Sequence, residues 1–200
     1  RIIADKERRH KNNDSTKKAK KLIFVPVSGH IDEVVSLAVV FAKALIKSKY
    51  EFDIILKPHP VKDLSEIFIK SLRKYGYVSE FVSVIHPHAA FYDELERSDA
   101  LIVTGSTVGF EAMALGVMPI VYINYHQYSF NVAALYAMRK SISLVSSSTM
   151  LLHELNMLYE KESIVMVPSV WKEVLFEIFG DLHGDIEGRF FEQIKQIISA

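Results

Sequence analysis

The chain has 200 residues, of which 50% are hydrophobic and 24% are charged, with 8 glycines, 6 prolines and no cysteine. This length fits one domain or two small ones, and the apolar content excludes intrinsic disorder and collagen-like repeats. The lack of cysteine excludes disulfides, thiolate metal sites and cysteine nucleophiles. There is no charge-free apolar run of 18 residues and no signal peptide, so we expect a soluble protein, cytoplasmic or peripheral at the inner face of the membrane.

The formal net charge is zero, but the charges are unevenly distributed. Residues 1–21 hold nine Lys or Arg against three acids, a local charge of +6, which leaves −6 on residues 22–200. An acidic body argues against nucleic-acid binding, which depends on the neutralisation of phosphates. We interpret residues 1–21 as a basic linker or leader that could contact anionic lipid. Residues 22–200 are predicted to form a single domain, with helices at 167–200.

Short apolar segments alternate with helical patterns from residue 22 onward. The predicted strands are 22–27, 52–56, 81–85, 100–104, 119–123 and 142–146, and the predicted helices are 34–46, 62–75, 91–98, 107–115, 128–139, 148–161, 168–180 and 186–198. Continuous apolar runs indicate strands buried on both faces, and intervening helices make such strands parallel. The pattern predicts a doubly wound, mostly parallel six-stranded α/β sheet with helices on both faces, which binds ligands beyond the carboxyl ends of its strands.

The segment Thr104–Ala112 carries the strongest signal for binding. A predicted strand leads through a hydroxyl-rich turn into a helix, whose first free amides and dipole favour an anion. Gly105 permits a positive φ, and Gly109 lets a ligand approach the backbone. Ser106 and Thr107 offer hydroxyls, which could bind phosphate or simply cap the helix. The segment is neither a Walker loop nor a GxGxxG fingerprint.

Loops after the other predicted strands supply further candidates. In the segment 57–60, Lys-Pro-His-Pro, the prolines fix the backbone, so Lys57 and His59 leave the strand end in defined directions and suit a phosphate. His86, after the third strand, and Gly29, after the first, are further candidates for ligand contact. We predict no metal site, because no carboxylate cluster or further histidine lies at ligand spacing around His86.

Together these segments resemble the carboxyl-terminal, donor-binding half of GT-B glycosyltransferases. The matching stretches are Lys-Pro-His-Pro, then Ser-Asp-Ala-Leu-Ile-Val-Thr-Gly-Ser-Thr-Val-Gly-Phe-Glu-Ala-Met-Ala-Leu-Gly, then Pro-Ile-Val-Tyr, within residues 22–147. The helices to residue 198 fit the same half. Among these enzymes the chain is most similar to those of bacterial capsule and lipopolysaccharide synthesis: Kdo transferases, sialyl- and polysialyltransferases, and teichoic acid glycerophosphotransferases. The resemblance implies a Rossmann-like domain that binds a nucleotide-sugar donor.

The resemblance also implies roles for individual residues. His59 and Pro60 match the motif that contacts the donor's cytidine nucleotide and phosphate, and Ser106 and Thr107 match the motif that holds the same phosphate. Glu111 matches the glutamate that hydrogen-bonds the ribose. His59 would then be catalytic by stabilising charge on the leaving group, without a metal or other cofactor. A CMP-sugar is the favoured donor, with CDP- or UDP-sugars as alternatives.

The general base of these enzymes lies in an amino-terminal half that this sequence does not include. We therefore expect the chain to be a fragment that acts with that half on a saccharide or lipid-linked saccharide acceptor. Two alternatives remain open. One is an enzyme similar to UDP-sugar 2-epimerases. The other is a non-catalytic, flavodoxin-like or receiver-like interaction domain, in which the turn 104–111 is only a capped helix.

Overall fold

The computed structural model describes residues 21–78, 80–85, 91–104, 106–124, 143–160 and 171. The strands within these residues are β1 (Lys21–Pro26), β2 (Phe52–Lys57), β3 (Val82–Val84), β4 (Ala100–Val103), β5 (Met118–Tyr122) and β6 (Ser143–Val145). They form one sheet in the order β3-β2-β1-β4-β5-β6, and every neighbouring pair is parallel. The predicted six-stranded parallel sheet is therefore confirmed.

Helices cover both faces of this sheet. They are α1 (Ile31–Lys47), α2 (Ser65–Lys74), α3 (Phe91–Arg97), α4 (Val108–Ala114) and α5 (Ser148–Glu160). Helices α1, α2 and α5 pack on one face and α3 and α4 on the other, so each face has its own hydrophobic core. Successive side chains of a strand point to opposite faces. In β1, Ile23 and Val25 accordingly join the first core, and Phe24 joins the second.

Two details of the predicted pattern are wrong. Ile46 was expected on the buried face of the first helix, but 52% of its surface is exposed. It lies five positions after the fully buried Phe41, which turns it about 140° around the helix from that residue. Segment 81–85 was expected to be buried on both faces, yet Phe81 is 39% and Val84 44% exposed. Its strand β3 is the edge of the sheet and pairs only with β2 among the described strands.

Several predicted helices lie outside the described residues. These are the helices at 128–139, 168–180 and 186–198, of which only Trp171 is described. Trp171 is 4% exposed and belongs to the second core, as expected for an aromatic core residue. None of the described helices combines the length and the apolar content that a membrane span requires.

The middle of the sheet contains the point where the strand order reverses. From β1 the chain moves outward to β2 and β3, and it then returns to β4 on the other side of β1. Strand β1 pairs with β2 along six residues, but with β4 only through Ile23 with Ala100 and Phe24 with Leu101. Ligands of such sheets bind in the crevice beyond the carboxyl ends of the strands at this reversal. The loops after β1, β2 and β4 border that crevice.

Candidate functional site

The contact between Gly29 and His59 joins two of the predicted site residues. Gly29 follows β1, and a Cβ atom built on it would lie 3.2 Å from Nδ1, 3.3 Å from Cε1 and 3.4 Å from Cγ of His59. The imidazole therefore lies beside the loop after β1, in space that a side chain at position 29 would enter. The carboxyl ends of β1 and β2 are held together beneath it by a bond of 2.8 Å from the Val27 N–H to the Lys57 carbonyl.

A local hydrogen bond orients the His59 ring. The backbone N–H of Val61 donates to Nδ1 at 3.3 Å. In a neutral imidazole one nitrogen accepts and the other carries the proton, so this bond assigns the proton to Nε2. The neighbouring prolines differ in exposure, since Pro58 is buried and Pro60 is exposed. The ring thus presents a single donor, Nε2–H, from a loop whose backbone is fixed by proline.

Glu33 is a site residue that the sequence analysis missed. It lies in the first turn of α1, and its Oε2 accepts hydrogen bonds from the Ser28 hydroxyl at 2.6 Å and from the Thr104 hydroxyl at 3.1 Å. One carboxylate oxygen therefore connects the loop after β1 with the end of β4. Nothing in the sequence marks this role, because acidic residues are common in the first turn of helices.

Helix α1 contacts the carboxyl edge at a second point. The hydroxyls of Ser36 and Tyr122 lie 2.6 Å apart, and Asn124 Nδ2 donates to Ser36 Oγ at 3.0 Å. Tyr122 is the last residue of β5, and Asn124 follows it closely. Ser36 stands three residues after Glu33, on the same face of the helix. The polar face of α1 is therefore fixed against the ends of three central strands.

The start of α4 is less open than predicted. Ser106 Oγ accepts the Val108 N–H at 3.3 Å, and the N–H groups of Gly109 and Phe110 bond to the carbonyls of Ser106 and Thr107. Thr107, at the N-cap, makes no side-chain capping bond. The helix has only seven residues. The expectation that these first amides are free for an anion is wrong for Val108, Gly109 and Phe110, because each N–H has an acceptor within the chain. Ser106 acts in part as the capping residue.

Glu111 and Lys57, both predicted site residues, make contacts with the beginning of α3. Tyr92 hydrogen-bonds the Glu111 carboxyl, and burial raises the pKa of that carboxyl while this bond lowers it. The Lys57 ammonium lies 5.7 Å from the ring centroid of Phe91, a cation–π distance. The start of α3 therefore contacts two residues that the sequence placed in separate motifs.

The remaining candidates divide into described and undescribed positions. Gly109 is buried, and a Cβ on it would lie 4.0 Å from Val103 Cγ1, an ordinary contact. Packing within the chain therefore does not require a glycine at this position, and the predicted approach of a ligand to Gly109 stays a prediction. Gly105 and His86 lie outside the described residues. The described part of the chain contains no group of three or more His, Asp or Glu that could hold a metal ion.

The chain has a Rossmann-like fold, with polar side chains gathered at the switch point of a parallel sheet. In sequence, the chain matches no protein-family model and no curated protein. Solved structures do match, and the three described next have sequence identities below 20%.

Three of these structures illustrate the result. The calicheamicin glycosyltransferase CalG4 matches at a TM-score of 0.56 and 13% identity, covering 93% of this chain and 44% of its own. The carboxyl-terminal CMP-Kdo binding domain of WaaA from Acinetobacter baumannii matches at a TM-score of 0.55 and 17% identity, covering 87% of this chain and 97% of its own. A protein assigned as a UDP-N-acetylglucosamine 2-epimerase from Listeria monocytogenes matches at a TM-score of 0.54 and 14% identity, covering 88% and 50%.

These matches confirm the predicted architecture. The chain has the fold of the carboxyl-terminal domain of GT-B glycosyltransferases. It spans about 44% of the length of CalG4 and nearly the whole length of the WaaA domain.

Proposed function

We propose that the chain is the donor-binding domain of a glycosyltransferase and that its cleft binds a nucleotide sugar. The observation that carries this proposal is the placement of His59. Its imidazole rests on Gly29 with Nδ1 occupied by the Val61 N–H, which leaves Nε2–H as a donor at the carboxyl edge of the sheet. The match to a CMP-Kdo binding domain over 87% of the chain supports the same function.

The chemistry of such a transfer requires stabilisation of a leaving phosphate. When the bond between the sugar's anomeric carbon and the phosphate oxygen breaks, its electron pair passes to that oxygen. A donor aimed at the developing charge lowers the barrier. In this proposal His59 Nε2–H is that donor, and the hydroxyls of Ser106 and Thr107 bind the same phosphate. No metal ion takes part.

Glu111 and Lys57 would bind the nucleoside side of the donor. Glu111 would accept from the ribose hydroxyls with the carboxylate oxygen not used by Tyr92. The Lys57 ammonium, which lies near the Phe91 ring, would add positive charge to a cleft in an otherwise acidic body. Gly29, Pro60 and Gly109, together with Gly105 and His86 outside the described residues, complete the set proposed to surround the nucleotide.

The finer features of the function extend the same proposal. The donor is a CMP-sugar, with CDP- and UDP-sugars as alternatives, and the product is a bacterial surface polysaccharide such as capsule or lipopolysaccharide. A second, amino-terminal domain supplies the general base and binds a saccharide or lipid-linked acceptor. The protein then works in the cytoplasm, at the inner face of the membrane if the basic segment 1–21 contacts anionic lipid.

A UDP-sugar 2-epimerase is the second candidate, because the Listeria protein matches with nearly the same TM-score. An epimerase must remove and return a proton at the sugar C2, and the described cleft offers no evident acid–base pair beside His59. A cytidine preference would favour the transferase, and a uridine preference together with epimerisation of UDP-N-acetylglucosamine would favour the second candidate.

Two substitutions of His59 test the role of its two nitrogens separately. His59→Asn keeps an acceptor near the Nδ1 position for the Val61 N–H but removes the Nε2 donor. His59→Gln places an amide N–H near the Nε2 position. We expect His59→Asn to weaken CMP binding by about 1.5–3 kcal/mol, as for a lost hydrogen bond to a charged group, and His59→Gln to weaken it less.

Isothermal titration calorimetry with CMP, UMP, GMP and AMP measures both the ranking and the loss. CMP is expected to bind most tightly to the natural chain. Thermal melts of each variant verify that it is folded. Equal affinities of the natural chain and His59→Asn for CMP would show that His59 does not contact the nucleotide. If no nucleotide binds at all, the proposed function is contradicted.

A further inference from the structure

The strongest unassigned feature is the hydrogen-bond chain centred on Glu33. A carboxylate only accepts, so the Ser28 and Thr104 hydroxyls must both donate to Oε2, at 2.6 and 3.1 Å. Each of these two residues stands where a central strand ends, one after β1 and one after β4. Glu33 reaches both from the first turn of α1. It therefore bridges the two strands at the point where the sheet reverses its order.

The bridge extends to the loop that carries Gly29. Ser28 donates its proton to Glu33, and its oxygen accepts the backbone N–H of His30 at 3.1 Å. Gly29 lies between these two bonded residues. Its backbone position is thereby fixed relative to Glu33, and the His59 ring lies beside it, where a Cβ on Gly29 would come within 3.2 Å of Nδ1. A continuous set of contacts thus runs from Thr104 through Glu33 and Ser28 to His59.

We infer that Glu33 is a positioning residue that holds the loop after β1 in place and thereby sets the orientation of the His59 imidazole. Glu33 acts through Ser28 and Gly29 and need not touch the ligand. Its effect on nucleotide affinity rests on the proposed function. Its effect on the His59 ring does not, because the contacts exist in the chain without a ligand.

A competing explanation gives Glu33 only a helix-stabilising role. Acidic residues in the first turn interact favourably with the helix dipole, and Asp32 stands next to Glu33 in that turn. Such an interaction would contribute to stability without affecting the loop after β1. It would also depend on the negative charge, whereas the bridge depends on an acceptor oxygen. Glutamine separates the two, since its carbonyl oxygen has two lone pairs and can accept from both hydroxyls.

The test follows the His59 Cε1–H signal in ¹H–¹³C NMR spectra of the ligand-free chain, assigned by its loss in His59→Gln. We expect Glu33→Ala to shift this signal and to weaken CMP binding about tenfold, because a displaced His59 would lose much of its hydrogen bond to the charged phosphate. Glu33→Gln should keep the signal near its natural position and hold the affinity within about threefold. Glu66→Ala is the matched control, because Glu66 is also a first-turn acid, on α2, and pairs with Lys70 at the surface.

Thr104→Val keeps the test decisive even if Glu33→Ala does not fold. It removes one of the two donors and should shift the His59 signal in the same direction by a smaller amount. The double variant Glu33→Ala, Thr104→Val should shift it no further than Glu33→Ala, as for two residues in one interaction.

Two results would overturn the inference: a His59 signal unmoved in folded Glu33→Ala or Thr104→Val, or an equal shift in Glu66→Ala. If the natural chain binds no nucleotide while the signal responds as expected, the proposed function fails and the positioning role stands.

Discussion

At the scale of single residues, the space around Gly29 is the most restrictive feature of the cleft. A Cβ there would approach His59 Nδ1 to 3.2 Å, closer than ordinary van der Waals contact, so the imidazole would have to move by a few tenths of an ångström. We expect Gly29→Ala to lower CMP affinity several-fold with little change in the free energy of unfolding. Calorimetry and chemical denaturation measure the two quantities. An unchanged affinity would show that the contact between Gly29 and His59 has no part in binding.

Gly109 offers the comparison with a glycine that has room for a side chain. Its Cβ would meet Val103 Cγ1 at 4.0 Å, within a regular helix. Alanine favours helix over glycine, so Gly109→Ala should raise the free energy of unfolding by about 0.4–1 kcal/mol. Urea denaturation checks this value, provided that the dependence of the unfolding free energy on urea concentration is the same in both proteins. A loss of stability would mean that the methyl group added by Gly109→Ala has no room beside Val103. A loss of CMP affinity would mean that the ligand contacts α4 at this position.

The buried carboxyl of Glu111 predicts a specific dependence of stability on pH. Burial raises the pKa of Glu111 above its ordinary value of 4.5, against the opposing effect of the Tyr92 bond. The folded chain therefore holds this proton more strongly than the unfolded chain. The resulting contribution to stability is complete below pH 4.5 and is lost as the pH rises through the folded-state pKa.

Glu111→Gln isolates this contribution, because glutamine has no proton to lose. The difference in melting temperature, natural chain minus variant, should become less positive from pH 4 to pH 7. Differential scanning calorimetry at several pH values follows it. A difference that stays constant or rises with pH would contradict the assignment.

At the residue level, the sequence was informative where local stiffness fixed the backbone. The prolines around His59 and the strand end before Gly29 pointed to the two residues that the structure brings into contact. Glu33 could not be found in this way, because its partners lie 5 and 71 positions away and its own position is typical of any helix start. The capping role of Ser106 was one of two open interpretations, and only the distance to the Val108 N–H favours it.

At the scale of elements, the end of α5 closes the amino-terminal edge of the sheet. The Tyr159 hydroxyl donates to the Glu51 carbonyl and accepts the Lys21 N–H at 3.0 Å. Its ring stacks on Tyr50 with centroids 4.1 Å apart. One side chain thus fixes α5 against the first residue of β1 and the residues just before β2.

Removal of this hydroxyl should therefore destabilise the fold. Tyr159→Phe keeps the ring contacts but leaves a backbone donor and a backbone acceptor without their partner, at a cost of about 1–2 kcal/mol. Tyr75→Phe is the control, since the ring of Tyr75 keeps its contact with Lys43. Urea denaturation measures both variants. Equal stabilities of Tyr159→Phe and the natural chain would show that the two hydrogen bonds make no net contribution to the free energy of unfolding.

The elements themselves were predicted well because their apolar periods are regular. Strand β2 and helix α5 both begin at the predicted residue and end within one residue of the predicted end. Strand β3 illustrates the limit. The five apolar or small residues of segment 81–85 predict a central strand, and only the tertiary arrangement reveals that β3 lies at an edge with Val84 exposed.

At the scale of the whole molecule, alternation of strands and helices was sufficient to predict a parallel sheet, since parallel strands need crossover connections. The strand order depends on which helix packs on which face, and that choice depends on contacts between residues distant in sequence. The resemblance to GT-B enzymes supplied the architecture that the periodicity alone left open, and the structural matches confirm it.

The short pairing between β1 and β4 divides the sheet into two triplets of strands, joined at a central seam by two residue pairs. A carboxylate stands at each end of this seam. Asp99 accepts the Leu22 N–H at 2.8 Å and the Lys21 ammonium at 3.2 Å at one end, and Glu33 bridges Ser28 and Thr104 at the other. Main-chain amides beside the seam should then exchange with deuterium sooner than those between β1 and β2.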